Sequence, residues 1–303
     1  MKAQAAVTAE LQPGARRLGL GTVQFGLAYG VANQHGQVSR PEARKIVELA
    51  ASAGIDTIDT AIGYGDSERY LGEIGMTDFK VITKLPALPA GTPDVGGWVN
   101  DQVSASAARL GVPTIYGLLL HRPMELLGAN GPTLFKALCA LKERTLVRKI
   151  GLSIYSPAEL QALLAKFKVD IVQGPLNLID RRLHTGGWLK RLKDRAIEVH
   201  TRSTFLQGLL LMPRDAIPAK FSRWSVLWDN WHQWLRRRDE SALRACMAFP
   251  LSIPEIDRVL VGAESVDQVR QILASAGGRP VTSIPDLSSP DEELIDPAKW
   301  TTL

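Results

Sequence analysis

Short apolar runs alternate along the chain with longer amphipathic stretches. The runs have the length of strands, and the stretches have the periodicity of helices packed on one side. The predicted strands are Leu18–Gly21, Thr57–Asp59, Lys80–Thr83, Tyr116–Leu120, Lys149–Leu152, Ile171–Gln173, Glu198–Thr201 and Arg258–Val261. The predicted helices include Arg40–Gly54, Pro157–Phe167 and Ser265–Ala274, and a serine suited to helix capping opens each of them (Ser39, Ser156 and Ser265).

Eight strands alternating with helices over about 260 residues match a (β/α)8 TIM barrel in number and length. The main alternative is a doubly wound sheet, which usually carries an early glycine-rich loop with the spacing GxGxxG. The early segment GLGTVQFG has a different spacing. No linker divides the chain, so we expect one domain with its barrel at about 18–275. Residues 277–303, rich in Pro, Ser and Asp, are expected to form a tail over the barrel.

The composition narrows the class of protein. The chain has 303 residues, of which 45% are hydrophobic and 22% charged, and no apolar run reaches the roughly 18–20 residues that span a bilayer. The first residues lack the apolar stretch of a secretory signal, so a cytoplasmic monomer is the default expectation. The net charge of +5 is modest, and the basic run Arg236–Arg238 is interpreted as a solvated helix end rather than a nucleic-acid site.

The two cysteines, Cys139 and Cys246, lie in helix-like apolar surroundings and are expected to be buried free thiols. No group of cysteines and histidines has the spacing of metal ligands. We therefore expect no metal site.

Ionisable residues close or follow three consecutive predicted strands. Asp59 closes the second strand, and Tyr64 follows it in the segment DTAIGYG. Lys84 follows the third strand, and His121 follows the fourth in LLLHRP. Because a TIM barrel gathers its active site at the carboxyl ends of its strands, we expect these four side chains to lie together.

These four residue types suit the reduction of a carbonyl group. Hydride transfer builds negative charge on the carbonyl oxygen, and an acid must supply a proton there. Free tyrosine, with a pKa of about 10, is a weak acid unless its phenolate is stabilised. Tyr64 would be the acid, Lys84 would stabilise its phenolate, Asp59 would pair with Lys84, and His121 would polarise the carbonyl oxygen.

Each of the four residues also has an ordinary structural interpretation. Asp59 could cap a turn, Tyr64 could be a packing residue, Lys84 could be a solvated strand end, and His121 could be a turn residue. The catalytic interpretation rests on their joint occurrence in this order.

The segment GIDTIDTAIGYGDSERYLG resembles the signature of the aldo-keto reductase family, and VITKLP and YGLLLHRP resemble its lysine and histidine motifs. The resemblance extends from about Leu18 to Leu273. It implies a TIM-barrel oxidoreductase that reduces a small-molecule aldehyde or ketone with NADPH, or with NADH. It also implies that Asp59, Tyr64, Lys84 and His121 are catalytic.

The resemblance further implies cofactor contacts on most of the other strands. Gly21 and Thr22 would lie against the cofactor, and Ser153 and Gln173 would contact the nicotinamide carboxamide. Ser203, Phe205 and Gly208 would follow the pyrophosphate. Residues near the last helix would hold the adenosine phosphate, namely Gly262, Ala263, Ser265 and Gln268.

The chain departs from the family pattern at several of these places. Ile154 stands where asparagine is usual, Thr204 where proline is common, and Arg270-Gln271-Ile272 where Glu and Asn are common. Arg202 replaces an aromatic residue that stacks on the nicotinamide. It could stack there too, or bind a phosphate or an acidic substrate, or be solvated or ion-paired. The loop Gly262–Gln268 contains Glu264 and Asp267 and no Lys or Arg, so we expect only a modest preference for NADPH.

Two other functions are compatible with the same residues. One is a non-catalytic barrel that binds a nicotinamide cofactor and reports redox state to a partner protein. The other is an aldolase in which Lys84 forms a Schiff base with the substrate.

Overall fold

The computed structural model describes residues 14–278, 281 and 283–303. Eight parallel strands of these residues close into a barrel, each pairing with the next along the chain and the last pairing with the first. The strands are β1 (Leu18–Gly21), β2 (Thr57–Asp59), β3 (Lys80–Leu85), β4 (Ile115–Leu120), β5 (Val147–Ser153), β6 (Ile171–Pro175), β7 (Glu198–Arg202) and β8 (Arg258–Gly262). The predicted (β/α)8 barrel is confirmed. Residues 1–13, which bear on the expected lack of a secretory signal, lie outside the described residues.

Helices lie between the strands. They are α1 (Val23–Gly26), α2 (Arg40–Ser52), α3 (Ser67–Ile74), α4 (Val95–Leu110), α5 (Gly131–Glu143), α6 (Ala158–Lys166), α7 (Arg182–Thr185), α8 (Trp188–Lys193), α9 (Ser225–Arg238), α10 (Ala242–Leu251), α11 (Val266–Ala276) and α12 (Glu292–Ile295). Short 3-10 helices occupy Ala15–Arg17, Pro123–Leu127, Leu209–Leu211, Arg214–Ala216, Ala219–Trp224 and Pro297–Thr302. No helix of the described residues is long and apolar enough to cross a membrane.

All three predicted capping serines accept a hydrogen bond from a backbone N–H at a helix start, Ser156 from Ala158 at 3.3 Å. The Ser39 hydroxyl accepts a hydrogen bond from the Glu42 N–H, and the Ser265 hydroxyl accepts one from the Gln268 N–H. The third helix, α6, starts one residue later than predicted. There the carboxylate of Glu159 reaches back to the N–H groups of Tyr155 and Ser156, at 2.8 and 2.7 Å.

The barrel interior has an apolar layer in its middle. Ile82 of β3, Leu119 of β4 and Ile171 of β6 are fully buried and form a cluster separate from the main core. Because β3 and β6 are not neighbours in the sheet, their contact crosses the barrel. Gly117 leaves room for it, since a Cβ atom there would lie 2.6 Å from Ile82 Cδ1.

Charged side chains occupy the amino-terminal end of the barrel. Glu198, the first residue of β7, accepts hydrogen bonds from the Tyr116 hydroxyl at 3.0 Å and from Lys149, and it pairs with His200 Nε2 at 2.7 Å. Burial would raise the pKa of Glu198, but the hydrogen bonds with His200 and Lys149 hold it well below its usual range. We call Tyr116, Lys149, Glu198 and His200 the barrel floor.

The segment after α11 packs on the rest of the protein through a few apolar side chains. Leu294, Ile295 and Trp300 are buried. The Trp300 indole donates to the Leu294 carbonyl at 3.1 Å and meets the Phe221 ring edge-on, with ring centroids 4.8 Å apart.

Both cysteines are free, but only Cys246 is buried. Cys139 is half-buried, contrary to the expectation, because it lies beside the buried stripe of α5 that Leu134, Leu138 and Leu141 form. Burial raises the pKa of both thiols.

Candidate active site

A pocket of about 840 Å³ opens among the loops that follow the strands. Asp59, Tyr64, Lys84 and His121 all line it. Asp59 and Lys84 belong to β2 and β3, whereas Tyr64 and His121 lie in the loops that follow β2 and β4. The structure therefore brings the four predicted catalytic residues together.

Lys84 is buried next to Asp59. Its ammonium donates to Asp59 Oδ1 at 2.6 Å and to the Thr60 carbonyl at 2.8 Å, and the residue is 1% exposed. Burial opposes the charge of Lys84, but the attraction of Asp59 and Tyr64 raises the pKa of Lys84 above its ordinary value. Lys84 is therefore held as an ammonium group.

The aromatic rings of Tyr64 and His121 stand close to this ammonium. Lys84 Nζ lies 5.1 Å from the centroid of the Tyr64 ring, and the Tyr64 and His121 rings meet edge-on with centroids 6.0 Å apart. Burial, with Lys84 and Arg202 as positive neighbours, lowers the pKa of His121 to about 4. His121 is thus neutral at pH 7 and can share a hydrogen bond with a substrate oxygen.

Close backbone packing fixes the loop that carries Tyr64. Gly65 has a φ of +51°, and a Cβ atom there would lie 2.5 Å from the Gly26 carbonyl oxygen. A Cβ atom on Gly26 would lie 1.7 Å from the Tyr64 carbonyl oxygen. Neither glycine can take a side chain without moving Tyr64.

A buried carboxylate anchors the helix that follows this loop. Glu68 of α3 accepts from the hydroxyls of Thr83 and Ser106 at 2.7 and 2.6 Å. Arg109 of α4 donates to its other oxygen through Nε and Nη2, at 2.8 and 2.6 Å. Glu68 thus joins α3 to β3 and α4, next to the Tyr64 loop.

Most of the residues predicted to bind the cofactor line the same pocket. They are Gly21, Thr22, Ser153, Arg202, Ser203, Phe205, Gly208, Gly262 and Gln268. Gln173, Ala263 and Ser265 do not line it. Gln173 is fully buried, and its amide donates to Asp59 Oδ2 at 2.6 Å, which adds a positioning role that the sequence did not indicate.

The shape of the pocket fits an elongated ligand with phosphate groups. Leu206, Gln207 and Gly208 have φ values of 47°, 54° and 87°, so the loop after β7 makes a left-handed turn. Within this turn the N–H groups of Leu206 and Gly208 donate to the Ser203 and Phe205 carbonyls, at 2.9 and 3.0 Å. Two glycines of the pocket lining leave no room for a side chain. A Cβ atom on Gly208 would lie 2.6 Å from Ala32 Cβ, and one on Gly262 would lie 2.6 Å from the Gln24 side chain. The Gln24 Oε1 atom is buried and lacks a hydrogen-bond partner among the described residues. A nicotinamide dinucleotide therefore fits the residues present.

The amino terminus of α11 already has protein partners for several of its donors. The Val266 N–H donates to the Glu42 carboxylate at 2.9 Å. The Gln268 N–H donates to Ser265 Oγ, and the Gln268 side chain accepts from the Glu264 N–H at 2.8 Å. A carboxylate from α2 thus lies where a cofactor phosphate was expected.

Two tyrosines in the pocket wall were not singled out from the sequence. Tyr29 follows β1, and its hydroxyl is 3.1 Å from the Gln207 amide of the loop after β7. Burial raises the pKa of Tyr29. Tyr155 lies two residues beyond β5. Both follow strand ends, so the rule that identified Tyr64 would have identified them as well.

Arg202 reaches into the pocket without a carboxylate partner among the described residues. It donates to the Ile154 carbonyl at 3.0 Å and to Ser203 Oγ at 3.3 Å, and its guanidinium carbon lies 5.0 Å from the centroid of the Tyr155 ring. The described residues contain no group of three or more His, Cys, Asp or Glu side chains that could hold a metal ion.

Comparison with known proteins identifies the family. Residues 17–280 match the aldo/keto reductase family. The chain is 25% identical to pyridoxal 4-dehydrogenase of Microbacterium luteolum over 84% of this chain and 87% of that protein. It is 24% identical to the uncharacterized oxidoreductase YqkF of Bacillus subtilis over 80% of this chain and 84% of that one.

Solved structures share the fold. The aldo-keto reductase AKR11C1 of Bacillus halodurans, in its holo form, matches with a TM-score of 0.70 and 19% identity over 88% of each chain. The glycerol dehydrogenase AKR11B4 of Gluconobacter oxydans matches with a TM-score of 0.65 and 21% identity over 88% of each chain. The pocket described above holds Asp59, Tyr64, Lys84 and His121 together. Because residues 17–280 match the family, the chain belongs to the aldo/keto reductase family and is an oxidoreductase.

Proposed function

We propose that this enzyme reduces an aldehyde or ketone to an alcohol with NADPH or NADH, and that Tyr64 is the general acid. The observation that carries the proposal is the buried Lys84 ammonium, which lies 2.6 Å from Asp59 Oδ1 and 5.1 Å from the centroid of the Tyr64 ring. A fixed positive charge beside a tyrosine stabilises the phenolate that proton donation leaves behind.

Each of the four residues has a defined task in this reaction. The bound nicotinamide cofactor supplies the hydride. Tyr64 Oη donates its proton to the carbonyl oxygen as negative charge builds there. Lys84, held by Asp59, stabilises the Tyr64 phenolate, and neutral His121 donates a hydrogen bond that orients the same oxygen.

The residues that would hold the cofactor surround this centre. Gly21, Thr22, Ser153 and Gln173 would lie near the nicotinamide, and the turn Ser203–Gly208 near the pyrophosphate. Gly262 and Gln268 would hold the adenosine end, while Ala263 and Ser265, which do not line the pocket, would act through the fold of this loop. We expect NADPH to be the cofactor, because the family resemblance implies it. The Glu42 carboxylate at α11 reduces the expected preference for NADPH over NADH, because it would repel the phosphate on the adenosine ribose of NADPH.

The two alternative functions are less well supported. A Schiff-base aldolase needs a lysine that can lose its proton, whereas Asp59 raises the pKa of Lys84. A non-catalytic redox sensor would not need Tyr64, Lys84 and His121 around one opening.

The proposed enzyme acts on small molecules as a cytoplasmic monomer, with no nucleic-acid partner. Light scattering at micromolar concentration would test the oligomeric state.

Turnover of the wild-type protein tests the proposed activity. Cofactor absorbance would be followed with NADPH and NADH against a panel of aldehydes and ketones, and in the reverse direction against the alcohols. We expect carbonyl-dependent oxidation of the reduced cofactor. Cofactor binding with no turnover in either direction would favour the redox-sensor alternative, and borohydride trapping of a substrate on Lys84 would favour the aldolase.

A further inference from the structure

Two arginines lie against one tyrosine ring in the wall of the pocket. The guanidinium carbons of Arg202 and Arg122 are 5.0 and 5.1 Å from the centroid of the Tyr155 ring. Arg202 closes β7, Arg122 follows His121 after β4, and Tyr155 follows β5. Residues from three strand ends thus form one cluster, which we call the arginine–tyrosine cluster.

No carboxylate of the described residues pairs with either guanidinium. Two other partly buried arginines have such a partner: Arg258 pairs with Asp56 at 3.0 Å, and Arg182 pairs with Asp180 at 2.9 Å. A third, Arg17, donates to three backbone carbonyl groups instead. In the arginine–tyrosine cluster Arg202 is partly buried and Arg122 is exposed, so solvent screens part of the repulsion between the two like charges. Such an arrangement is stabilised when an anion binds between or beside the charges.

Arg202 has the hydrogen-bonding capacity to bind that anion. A guanidinium offers five N–H donors, and two of its contacts are assigned, to Ile154 O and Ser203 Oγ. The remaining donors belong to a side chain that lines the pocket, as does Tyr155, whose hydroxyl is a further donor. The planar fork of arginine matches the oxygens of a carboxylate or a phosphate.

The cluster is continuous with the catalytic centre. Arg122 is the residue after His121, and the charge of Arg202 contributes to lowering the pKa of His121. The carboxylates that line the pocket do not neutralise it, because Asp59 is paired with Lys84, while Glu264 and Asp296 form no ion pair with Arg202 or Arg122. The part of the pocket next to His121 therefore carries excess positive charge.

We propose that the substrate of this reductase carries an oxyanion, a carboxylate or a phosphate, that Arg202 binds directly while Arg122 holds Tyr155 beside it. This inference rests on the proposed carbonyl reduction, since it names the class of carbonyl compound that is reduced. It assigns Arg202 to the substrate rather than to stacking on the nicotinamide ring.

Matched pairs of substrates test the assignment. One pair is p-carboxybenzaldehyde and p-tolualdehyde, and the other is glyceraldehyde phosphate and glyceraldehyde. The quantity to measure is the ratio of kcat/KM between the anionic and the neutral member of each pair. This ratio cancels any effect of a variant on cofactor binding that both members share.

In the wild type we expect kcat/KM to be more than tenfold higher for the anionic member of at least one pair. If the benzaldehyde pair shows this ratio the ligand is a carboxylate, and if the glyceraldehyde pair shows it the ligand is a phosphate. Arg202→Met should lower the ratio at least tenfold, and Arg202→Lys should lower it less. Arg122→Met should lower it a few-fold. Arg191→Met is the matched control, because Arg191 also stacks on an aromatic ring, Trp188, but does not line the pocket.

Two outcomes would overturn the assignment. One is a wild-type ratio near one for both pairs, and the other is an equal loss for both members in Arg202→Met, which would place Arg202 at the cofactor or in a structural role. If no carbonyl compound is turned over, the proposed function fails, and binding decides the anion site independently. Terephthalate or inorganic phosphate should then raise the Tm of the wild type and of Arg191→Met but not of Arg202→Met. The absence of any such shift would exclude the site.

Discussion

Lys84 is the residue on which the candidate site depends most. A buried ammonium is stable only while a partner compensates its charge, and here Asp59 lies 2.6 Å away with both side chains less than 10% exposed. Removing one member of such a pair leaves an uncompensated buried charge, which costs about 3–5 kcal/mol.

We therefore expect Lys84→Met to abolish turnover and to lower the free energy of unfolding by about that amount, as measured by urea titration. Lys80→Met is the matched control, because Lys80 pairs with Asp56 at 2.7 Å on the same strand but is 42% exposed. Its cost should stay below about 1 kcal/mol. Similar losses in the two variants would show that burial of the Lys84 pair contributes nothing.

His121 gives a prediction about pH. Its pKa of about 4 lies below the ordinary value of 6.5, so the folded state favours the neutral ring. The associated stability is present above pH 6.5 and is lost as the pH falls toward 4. We expect kcat/KM to show no inflection from His121 between pH 5 and 7. An inflection near pH 6.5 that disappears in His121→Gln would mean that the ring is protonated in the working range.

At the scale of the elements, the alternation of apolar and polar residues was enough to place all eight strands. β1 and β2 have their predicted bounds, whereas β3 continues to Leu85 because its pairing with β4 extends to Leu85 and Leu120. Lys84 therefore belongs to the strand rather than to the loop after it. That Asp59, Tyr64, Lys84 and His121 lie together was predictable, since each lies at or just beyond a strand end, a position that the fold itself defines.

The pocket wall was predictable only in part. Tyr29 and Gln207 meet across 178 positions of the chain, and local patterning carries no information about such a contact. The same holds for Glu42 of α2, which reaches the amino terminus of α11. The side-chain amide of Gln173 could not be assigned to Asp59 because its rotamer is set by packing inside the closed barrel.

The loop after β7 gives a prediction about cofactor binding. Gly208 and Gly187 both have positive φ values, 87° and 70°. An added Cβ atom would lie 2.6 Å from Ala32 at Gly208 but would have no neighbour within 4 Å at Gly187. Gly208→Ala should therefore cost about 1–3 kcal/mol and weaken NADPH binding, whereas Gly187→Ala should bring only the backbone strain of about 1 kcal/mol.

Tm and the fluorescence-detected Kd for NADPH would be measured for both alanine variants. Equal Tm losses with unchanged Kd values would show that the turn Ser203–Gly208 does not shape the cofactor site.

At the scale of the whole molecule, the barrel has a charged floor at one end and the pocket at the other. The pKa of Glu198 is held well below its usual range, so its contribution to stability is present above the unfolded value of about 4.3 and is lost as the pH falls further. We expect Glu198→Gln to lower the unfolding free energy at pH 7 by about 2 kcal/mol. Between pH 5 and 3, the unfolding free energy of the variant should also fall less than that of the wild type.

Urea unfolding across this pH range would measure both effects. Glu48→Gln, at an exposed position of α2, is the control and should behave as the wild type. A decline as steep in Glu198→Gln as in the wild type would assign acid sensitivity to other carboxyl groups.

The central claim is that Tyr64 donates the proton in carbonyl reduction, and Tyr64→Phe tests it most directly. The substitution keeps the ring beside Lys84 and His121 and removes only the hydroxyl. With a substrate that the wild type reduces, kcat should fall by about 10²–10⁴-fold, the range of general acid catalysis. The Kd for NADPH should stay within about threefold of the wild-type value. Such a change corresponds to less than about 1.4 kcal/mol of binding free energy, since that amount changes a Kd tenfold. A variant that binds NADPH normally and retains the wild-type kcat would contradict the assignment.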